Sequence, residues 1–355
     1  MRISDAKSKQ NYRQNVITFY FRGGIGNQLF QYAMYMELTR KFPNHEFKAD
    51  LSANESEEYK EIPMYSYSLK NVFNIELPTI SPQECRVEKK TLQEISCTKK
   101  RIKKIILALN NIAFINKIII NAYNFYSKIY YAYKKIFCNV IIELNYAYNK
   151  NVFLLDNNKN YSFMGIWMNE KYGRNINEEL KRLLVSGLNP VLNNDDKLLL
   201  DEINNSVSIC LHIRCYKIID HNVSEIIDLD TLDVCNFPYY KRAIEIMDER
   251  LKERNISGHR YFIFSPVPEI CKAEFSFIDN ATFISHDDCK IDMLLMSKCK
   301  HAIIANSTFS YWAINMTDTK DKIVVSPKYL IISPFKKTEF YVPDRWIKVD
   351  NSVYK

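Results

Sequence analysis

A cluster of glycines between an apolar run and a helix-like run most constrains what this chain can fold into. Three of its seven glycines, Gly23, Gly24 and Gly26, lie within four residues. The run VITFYF at 16–21 precedes them and is typical of a strand, while the residues that follow have apolar side chains at helical spacing. Glycine at such a turn allows a ligand to approach the backbone, and helix N-terminal N–H groups favour an anion. We therefore predict a strand–turn–helix unit that binds an anionic ligand.

From residue 205 onward, short apolar runs alternate with helical patterns. Strands are predicted over 206–213, 261–264, 281–284, 302–305 and 322–326, and helices from Pro238, over 291–299 and over 308–315. Strands that alternate with helices form a parallel sheet covered on both faces. This half is therefore predicted to be a Rossmann-like domain, whose ligands bind beyond the carboxyl ends of the strands.

Two further motifs are predicted to lie at those carboxyl ends. His212 and Arg214 alternate along the end of a strand, so their side chains point the same way, and the guanidinium offers a fork of donors for phosphate oxygens. The run NSTFSYW at 306–312 joins a strand to a helix, where its hydroxyl groups can cap the helix and its N–H groups can bind a pyrophosphate. Taken alone, His212 and Arg214 are more typical of a buried core histidine and a surface ion pair, and the third motif can cap its helix whether or not it binds a ligand.

Taken together, the motifs resemble glycosyltransferase family 11, the α-1,2-fucosyltransferases, in their order and spacing. The first is GGIGNQLFQYA at 23–33, the second is His-Ile-Arg at 212–214, and the third is LLMSKCKH at 294–301 followed by NSTFSYW. The segments GIWMNEKY at 165–172, YYKRAI at 239–244, YFIFS at 261–265 and PDRW at 343–346 agree as well. The resemblance extends over residues 16–347, nearly the whole chain.

The resemblance implies a GT-B-like α/β fold, with two Rossmann-like domains facing a central cleft. We expect residues 1–205 to form the N-terminal, acceptor-side domain, with a linker near 190–205, and residues 206–355 the C-terminal domain that binds a GDP-sugar. A helical insertion is expected at about 85–150, which contains the basic run KKRIKK at 99–104 and an Ile- and Tyr-rich stretch up to 137. It is either an ordinary helical part of the first domain or a basic, aromatic helix on a membrane surface. The first is favoured because its apolar residues spread around more than one face.

The resemblance also implies the activity, a metal-independent, inverting transfer of L-fucose from GDP-fucose to a galactose-type hydroxyl of a surface glycan such as O-antigen or capsule. By position, Arg214 would neutralise the departing diphosphate and His212 would help to hold the nucleotide end of the donor. Asp292 would accept hydrogen bonds from guanine. Fixed donors of this kind stabilise the leaving charge without a metal or other cofactor. The other residues expected to bind the GDP-sugar are Gly24, Gly26, Asn27, Gln28, Ser265, Asn306, Ser307, Thr308 and Phe309.

The second motif departs from the family pattern, which usually continues as His-x-Arg-Arg-Gly-Asp-Tyr. Here Cys215, Tyr216 and Lys217 follow Arg214, and Pro266-Val267 replaces a usual pair of aspartates. A related transferase of another sugar, or a non-catalytic GDP-sugar-binding relative, therefore stays open as an alternative. The catalytic base is also open, and its candidates are Asp220, His221, Glu225, Asp228 and Asp230. The last two form an Asp-x-Asp, typical of metal-dependent GT-A enzymes, but no apolar strand leads into it.

Charge, apolar spans and cysteine usage limit which partners and which cell compartment we expect for the protein. The net charge of +8 comes from 49 basic and 41 acidic residues, and the basic residues are dispersed, so we expect no nucleic-acid partner. No uninterrupted apolar span reaches the ~20 residues of a transmembrane helix, and residues 1–10 lack the apolar core of a signal peptide. Nine scattered cysteines without a Cys-x-x-Cys indicate reduced thiols. We expect a cytoplasmic protein, with contact at the inner face of the membrane as the alternative.

Overall fold

Two parallel sheets, each covered by helices, organise the chain. The computed structural model describes residues 14–53, 68–81, 113–143, 146–214, 233–332 and 337–354. Within these residues one sheet has four strands and the other has six, and a small antiparallel pair stands apart from both. The predicted α/β, GT-B-like fold is confirmed, since the glycine turn and the His-Ile-Arg motif belong to different sheets.

The first sheet has the strand order β2-β1-β4-β3, and all of its pairs are parallel. Its strands are β1 (Val16–Tyr20), β2 (Glu46–Asp50), β3 (Val140–Ile142) and β4 (Tyr161–Met164). The helices of this part are α1 (Ile25–Lys41), α2 (Leu69–Phe73), α3 (Ala113–Cys138) and α4 (Asn177–Gly187). The rings of Phe19 and Phe163 stack across β1 and β4 with centroids 5.8 Å apart, so the two central strands are joined by an aromatic core.

The second sheet has the order β12-β9-β8-β5-β6-β7, again with parallel pairs throughout. Its strands are β5 (Val207–His212), β6 (His259–Phe264), β7 (Ala281–Ile284), β8 (His301–Ile303), β9 (Val324–Pro327) and β12 (Ile347–Val349). The antiparallel pair is β10 (Tyr329–Ile332) with β11 (Lys337–Glu339). The helices are α5 (Asn194–Asn205), α6 (Phe237–Glu253), α7 (Pro268–Glu274), α8 (Cys289–Lys298) and α9 (Thr308–Asn315).

The segment predicted as a polar linker contains a helix. Asn193 and Asp196 form a reciprocal capping box that starts α5, since each side chain accepts a hydrogen bond from the other's backbone N–H. Glu202 of α5 pairs with Arg260 of β6, which ties the helix to the second sheet. The local polarity that suggested a linker belongs to the solvent face of this helix. The exact domain boundary stays a prediction.

Part of the expected insertion at 85–150 is the long helix α3, while 82–112, including the basic run at 99–104, lies outside the described residues. The expected spread of apolar residues around several faces concerned the whole segment, whereas the exposed apolar side chains of α3 lie together. Seven large apolar side chains of α3 are exposed, and each lies four or seven positions from another, on one side of the helix. They are Ile118, Phe125, Tyr126, Ile129, Tyr133, Ile136 and Phe137.

The two halves of the chain meet where α1 packs along α9. The ring of Phe30 on α1 lies 4.7 Å from that of Tyr311 and 5.1 Å from that of Trp312, both on α9. These residues belong to one buried cluster that includes side chains of both sheets. Residues near the start of α1 contact the start of α9, so the two helices run parallel with their N-termini together.

Candidate functional site

The first turns of α1 and α9 touch directly. A Cβ added to Gly26 would lie 2.4 Å from the carbonyl carbon of Thr308 and 2.5 Å from the backbone nitrogen of Phe309, so the contact requires glycine. The Thr308 hydroxyl donates a hydrogen bond of 2.9 Å to Asn27 Oδ1. The first and third sequence motifs therefore form one structure, in which these residues join the two halves of the site.

The glycine turn is held by its own backbone and by glutamine side chains. Gly23 has φ +81°, which favours glycine, and the Gly24 carbonyl accepts from the N–H groups of Asn27 and Gln28. Gln28 donates to the Gly23 carbonyl at 2.9 Å and accepts from Leu69 N–H at 3.3 Å. The Gln28 side chain is thus buried and holds the turn in shape.

His212 lies at the carboxyl end of β5, in the middle of the second sheet. Its imidazole is buried, and among the described residues Nδ1 has no hydrogen-bond partner. Burial, together with the charge of Arg214, lowers the pKa of His212 to about 3, so the ring is neutral at physiological pH. Its centroid is 5.9 Å from that of Phe309. A buried polar atom without a partner at this edge of the sheet suits a bound ligand.

Arg214 follows two residues after the last pairing of β5. Its backbone N–H donates to the hydroxyl of Tyr240, a buried residue of α6, at 3.3 Å. The positive charge of the Arg214 guanidinium contributes to the lowered pKa of His212, so the two side chains interact electrostatically. Residues 215–232, with all five candidate bases and the altered part of the second motif, lie outside the described residues.

The N-terminus of α9 lacks the side-chain cap that its hydroxyl-rich sequence predicted. Ser307 occupies the N-cap position with φ −127° and ψ 126°, but its side chain makes no capping hydrogen bond. Asn306 instead donates to the Leu330 carbonyl at 2.8 Å. Gly24, the N-cap of α1, also provides no side-chain cap, and among the described residues neither first turn contains an acidic side chain. Two helix N-termini with partial positive charge therefore lie side by side without a negative side chain in either first turn.

The other two predicted donor residues lie further along the same edge. Ser265, after β6, is buried and its hydroxyl accepts from Val267 N–H at 3.2 Å. Asp292, on α8, pairs with His286, whose Nδ1 lies 2.6 Å from Asp292 Oδ1. His286 Nε2 lies 3.1 Å from Asp196 Oδ1, and the hydrogen bond to Asp292 raises the pKa of this histidine. Asp292 thus belongs to a cluster that joins α5 to α8, apart from the contact of α1 with α9.

A further carboxylate at the edge of the first sheet was missed by sequence reasoning. Glu143 follows β3 directly, and its Oε2 accepts hydrogen bonds of 2.8 Å from the N–H groups of Ile166 and Trp167. Its Oε1 is covered and has no hydrogen-bond partner among the described residues. Burial raises the pKa of Glu143 to about 7, although its backbone hydrogen bonds and the charge of Arg22 act in the opposite direction. An acidic residue immediately after the apolar run VII was the available signal.

Among the described residues there is neither a cluster of metal ligands nor a helix that could span a membrane. Across 14–53, 68–81, 113–143, 146–214, 233–332 and 337–354, three or more His, Cys, Asp or Glu side chains nowhere converge as metal ligands would. In the same residues no helix combines the length and apolar character needed to cross a bilayer.

The chain matches the family described as Glycosyl transferase family 11 over residues 16–350. An alpha-1,2-colitosyltransferase of Escherichia coli is 30% identical over 198 residues, which cover 53% of this chain and 62% of that protein. The O-antigen biosynthesis glycosyltransferase WbnK of Escherichia coli is 38% identical over 93 residues, covering 25% of this chain and 29% of that protein. The chain thus aligns with less than two thirds of the length of either relative.

Two solved structures are similar at low identity. A mutant of FUT1 from Arabidopsis thaliana, in complex with GDP, has a TM-score of 0.45 and 10% identity, covering 94% of this chain and 76% of that chain. The fucosyltransferase NodZ from Bradyrhizobium has a TM-score of 0.38 and 12% identity, covering 85% and 92%. Because both TM-scores are low, the assignment of the chain to a family rests on the family match over residues 16–350.

Proposed function

Because the chain belongs to glycosyl transferase family 11, we propose that it transfers L-fucose from GDP-fucose to a galactose-type hydroxyl of a surface glycan, in an α-1,2 linkage. O-antigen or capsule is the proposed acceptor, and one similar protein carries O-antigen biosynthesis in its name. The donor and the linkage are parts of this proposal.

The observation that carries the proposal is the side-by-side arrangement of the α1 and α9 N-termini. Gly26 brings the first turns into contact, and neither turn contains an acidic side chain among the described residues. Parallel helix dipoles with adjacent N-termini repel each other, and a bound anion relieves this repulsion. A nucleoside diphosphate supplies such an anion. Binding of the diphosphate near Ser307 and Thr308 follows from this reasoning.

Arg214 and His212 have separate roles in the proposal. As the bond between sugar and phosphate breaks, negative charge grows on the departing GDP, and the fixed positive charge of Arg214 stabilises it. His212 is neutral because its pKa is lowered to about 3, so it acts as a hydrogen-bond donor or acceptor for the donor substrate rather than as a cation. Both positions lie at the carboxyl end of the same strand.

A colitosyl donor is the second candidate, since one similar protein is named as a colitosyltransferase. Colitose is fucose without its 3-hydroxyl group, so the two donors differ by a single polar contact. A site that hydrogen-bonds this hydroxyl discriminates strongly against a sugar that lacks it, whereas an apolar site discriminates weakly in either direction.

The test is the release of nucleotide from a panel of GDP-fucose, GDP-colitose, GDP-mannose and UDP-galactose, with and without a galactose-terminated acceptor. We expect the highest release from GDP-fucose and stimulation of that release by the acceptor. A preference for GDP-colitose would select the second candidate. Binding of GDP without release from any donor would identify a non-catalytic relative and overturn the proposed activity.

A further inference from the structure

The long helix α3 exposes large apolar side chains along one side. Its seven exposed large apolar residues, from Ile118 to Phe137, keep between 50% and 73% of their side-chain surface accessible. They account for seven of the fifteen such residues in the described part of the chain, although α3 is a single helix. An apolar face of this size on one element marks an interaction surface rather than scattered exposure.

Two lysines of α3 lie outside this apolar face. Lys134 is 7% exposed, and its Nζ lies 5.3 Å from the ring centroid of Tyr130, one turn earlier. Lys135 donates a hydrogen bond of 3.0 Å to the Asn151 carbonyl, which attaches the helix to the segment after β3. A lysine buried against the protein on a helix that exposes large apolar side chains is the reverse of the arrangement in an ordinary surface helix.

The charge of the helix indicates the kind of partner. Residues 113–138 contain four lysines and no aspartate or glutamate, and the sequence just before them contains the basic run KKRIKK at 99–104. Lys128 is exposed beside the apolar face. Tyr126 and Tyr133, within that face, are amphipathic aromatics of the kind enriched where a protein meets lipid headgroups. An exposed lysine beside exposed isoleucines and aromatic rings, on a helix without acidic residues, matches an anionic bilayer surface in both charge and polarity.

We propose that the exposed apolar face of α3 docks the protein on an anionic phospholipid membrane, with the helix lying in the plane of the interface. The apolar side chains enter the boundary between headgroups and acyl chains, and Lys128, exposed beside them, contacts the lipid phosphates. This inference is independent of the proposed donor and acceptor, since it uses none of their residues.

The test is flotation of the purified full chain with vesicles of phosphatidylcholine alone, or of phosphatidylcholine mixed with phosphatidylglycerol. We expect flotation with the mixed vesicles at low salt and a marked decrease at high salt. The triple variant Phe125→Ser/Ile129→Ser/Ile136→Ser should bind vesicles about tenfold or more weakly, because it removes apolar surface that enters the bilayer. Lys128→Gln should lose about fivefold and reduce the salt dependence.

The matched control is Val191→Ser/Leu198→Ser, which removes two exposed apolar side chains elsewhere, 92% and 68% exposed, and should float like the parent. Thermal melting shows whether each variant is folded. For the parent itself, vesicles should slow amide hydrogen exchange within 113–138, a measurement that needs no variant.

Absence of flotation with anionic vesicles at low salt would overturn the proposal, as would equal flotation of the parent and the folded triple variant. Analytical sedimentation tests the other partner that this face could bind, which is a second copy of the chain. A parent that dimerises and does not float, beside a monomeric triple variant, would assign the face to a second copy of the chain and also overturn membrane docking.

Discussion

Gly26 and Thr308, which belong to different halves of the chain, are in direct backbone contact. A methyl group on Gly26 would lie 2.4 Å from the Thr308 carbonyl carbon and 2.6 Å from its oxygen. Because both neighbours are backbone atoms, they cannot turn aside as a flexible side chain can. This contact sets the distance between the α1 and α9 N-termini, and through it the site where we propose that the diphosphate binds.

Gly26→Ala should therefore decrease both stability and GDP affinity. Overpacking against backbone costs about 1–3 kcal/mol, so we expect a clear decrease in the melting temperature and a weaker Kd for GDP. Isothermal titration with GDP and thermal melting on the same protein measure the two effects. Gly258→Ala is the matched control, since Gly258 has φ +68° and no atom within 4 Å of an added Cβ. It should cost about 1 kcal/mol in stability and leave GDP affinity unchanged. Equal GDP affinity for parent and Gly26→Ala would contradict the placement of the site.

Arg214→Ala should decrease kcat/KM for GDP-fucose, which corresponds to a rise of about 2.5–4 kcal/mol in activation free energy. This is the cost expected when one preorganised hydrogen-bond donor to a developing anion is lost. Arg214→Lys should recover only part of this, because an ammonium lacks the bidentate fork of a guanidinium. Steady-state kinetics of nucleotide release provide the measurement. Arg242→Ala is the control, since Arg242 pairs with Glu245 on an exposed helix face, and it should turn over like the parent. If Arg214→Ala lowers only the melting temperature and retains parental kcat/KM, its role is a structural ion pair.

Nucleotide release should continue in the presence of EDTA. Arg214 and the two uncapped helix N-termini supply positive charge where we propose that the diphosphate binds. The measurement is the rate of nucleotide release with EDTA, compared with the same concentration of calcium-saturated EDTA as the control for ionic strength. Loss of activity that Mn²⁺ restores would contradict metal independence. It would also direct attention to Asp228 and Asp230, which lie outside the described residues.

Glu143 should make the protein less stable as pH rises from about 4.5 to 7. Its pKa is raised to about 7 in the folded state, while in the unfolded chain it ionises near 4.5. Between these values the folded state holds the extra proton, so the free energy of unfolding falls with increasing pH, by about 3 kcal/mol in total. Above pH 7 the carboxylate is charged in both states, and the loss is complete.

Glu143→Gln removes the ionisable carboxyl group. The free energy of unfolding of this variant should therefore lack the decrease that Glu143 causes between pH 4.5 and 7. His212 has the opposite effect, because its pKa is lowered to about 3 and the stability of its neutral form is lost as pH falls below about 6.5. This contribution is common to parent and variant, so it cancels when their urea-unfolding free energies are subtracted at each pH. A difference between the two proteins that does not vary from pH 4.5 to 7.5 would contradict the raised pKa of Glu143.

The strands of the second sheet could be predicted from the sequence because their signal is local. Apolar runs such as 261–264 and 281–284 are bounded by turns and separated by helical patterns, and the strands β6 and β7 lie where these runs were placed. The glycine turn was found for the same reason. The strands β3 and β12 have three residues each, too few for periodicity to distinguish them from loops.

The positions of the predicted site residues relative to one another could not be predicted in this way. Thr308 and Asn27 are 281 positions apart, and only the packing of α9 on α1 brings the hydroxyl within 2.9 Å of the amide oxygen. The same holds for the pairing of Asp292 with His286, which local sequence patterns do not indicate. A polar side chain at a strand end has several possible partners, and tertiary packing decides which one it meets.

The sequence by itself determined the α/β class, the alternation of strands with helices in the second half, and the motifs at the strand ends. Each follows from apolar periodicity and from glycine and proline within a few residues along the chain. Only the tertiary structure decided that Gly26 contacts Thr308, that Glu143 is buried at the edge of the first sheet, and that seven large apolar side chains of α3 are exposed. Burial and contact depend on which distant segments cover a residue. The free energy of that packing depends on residues from both halves of the chain, so a local sequence pattern does not contain it.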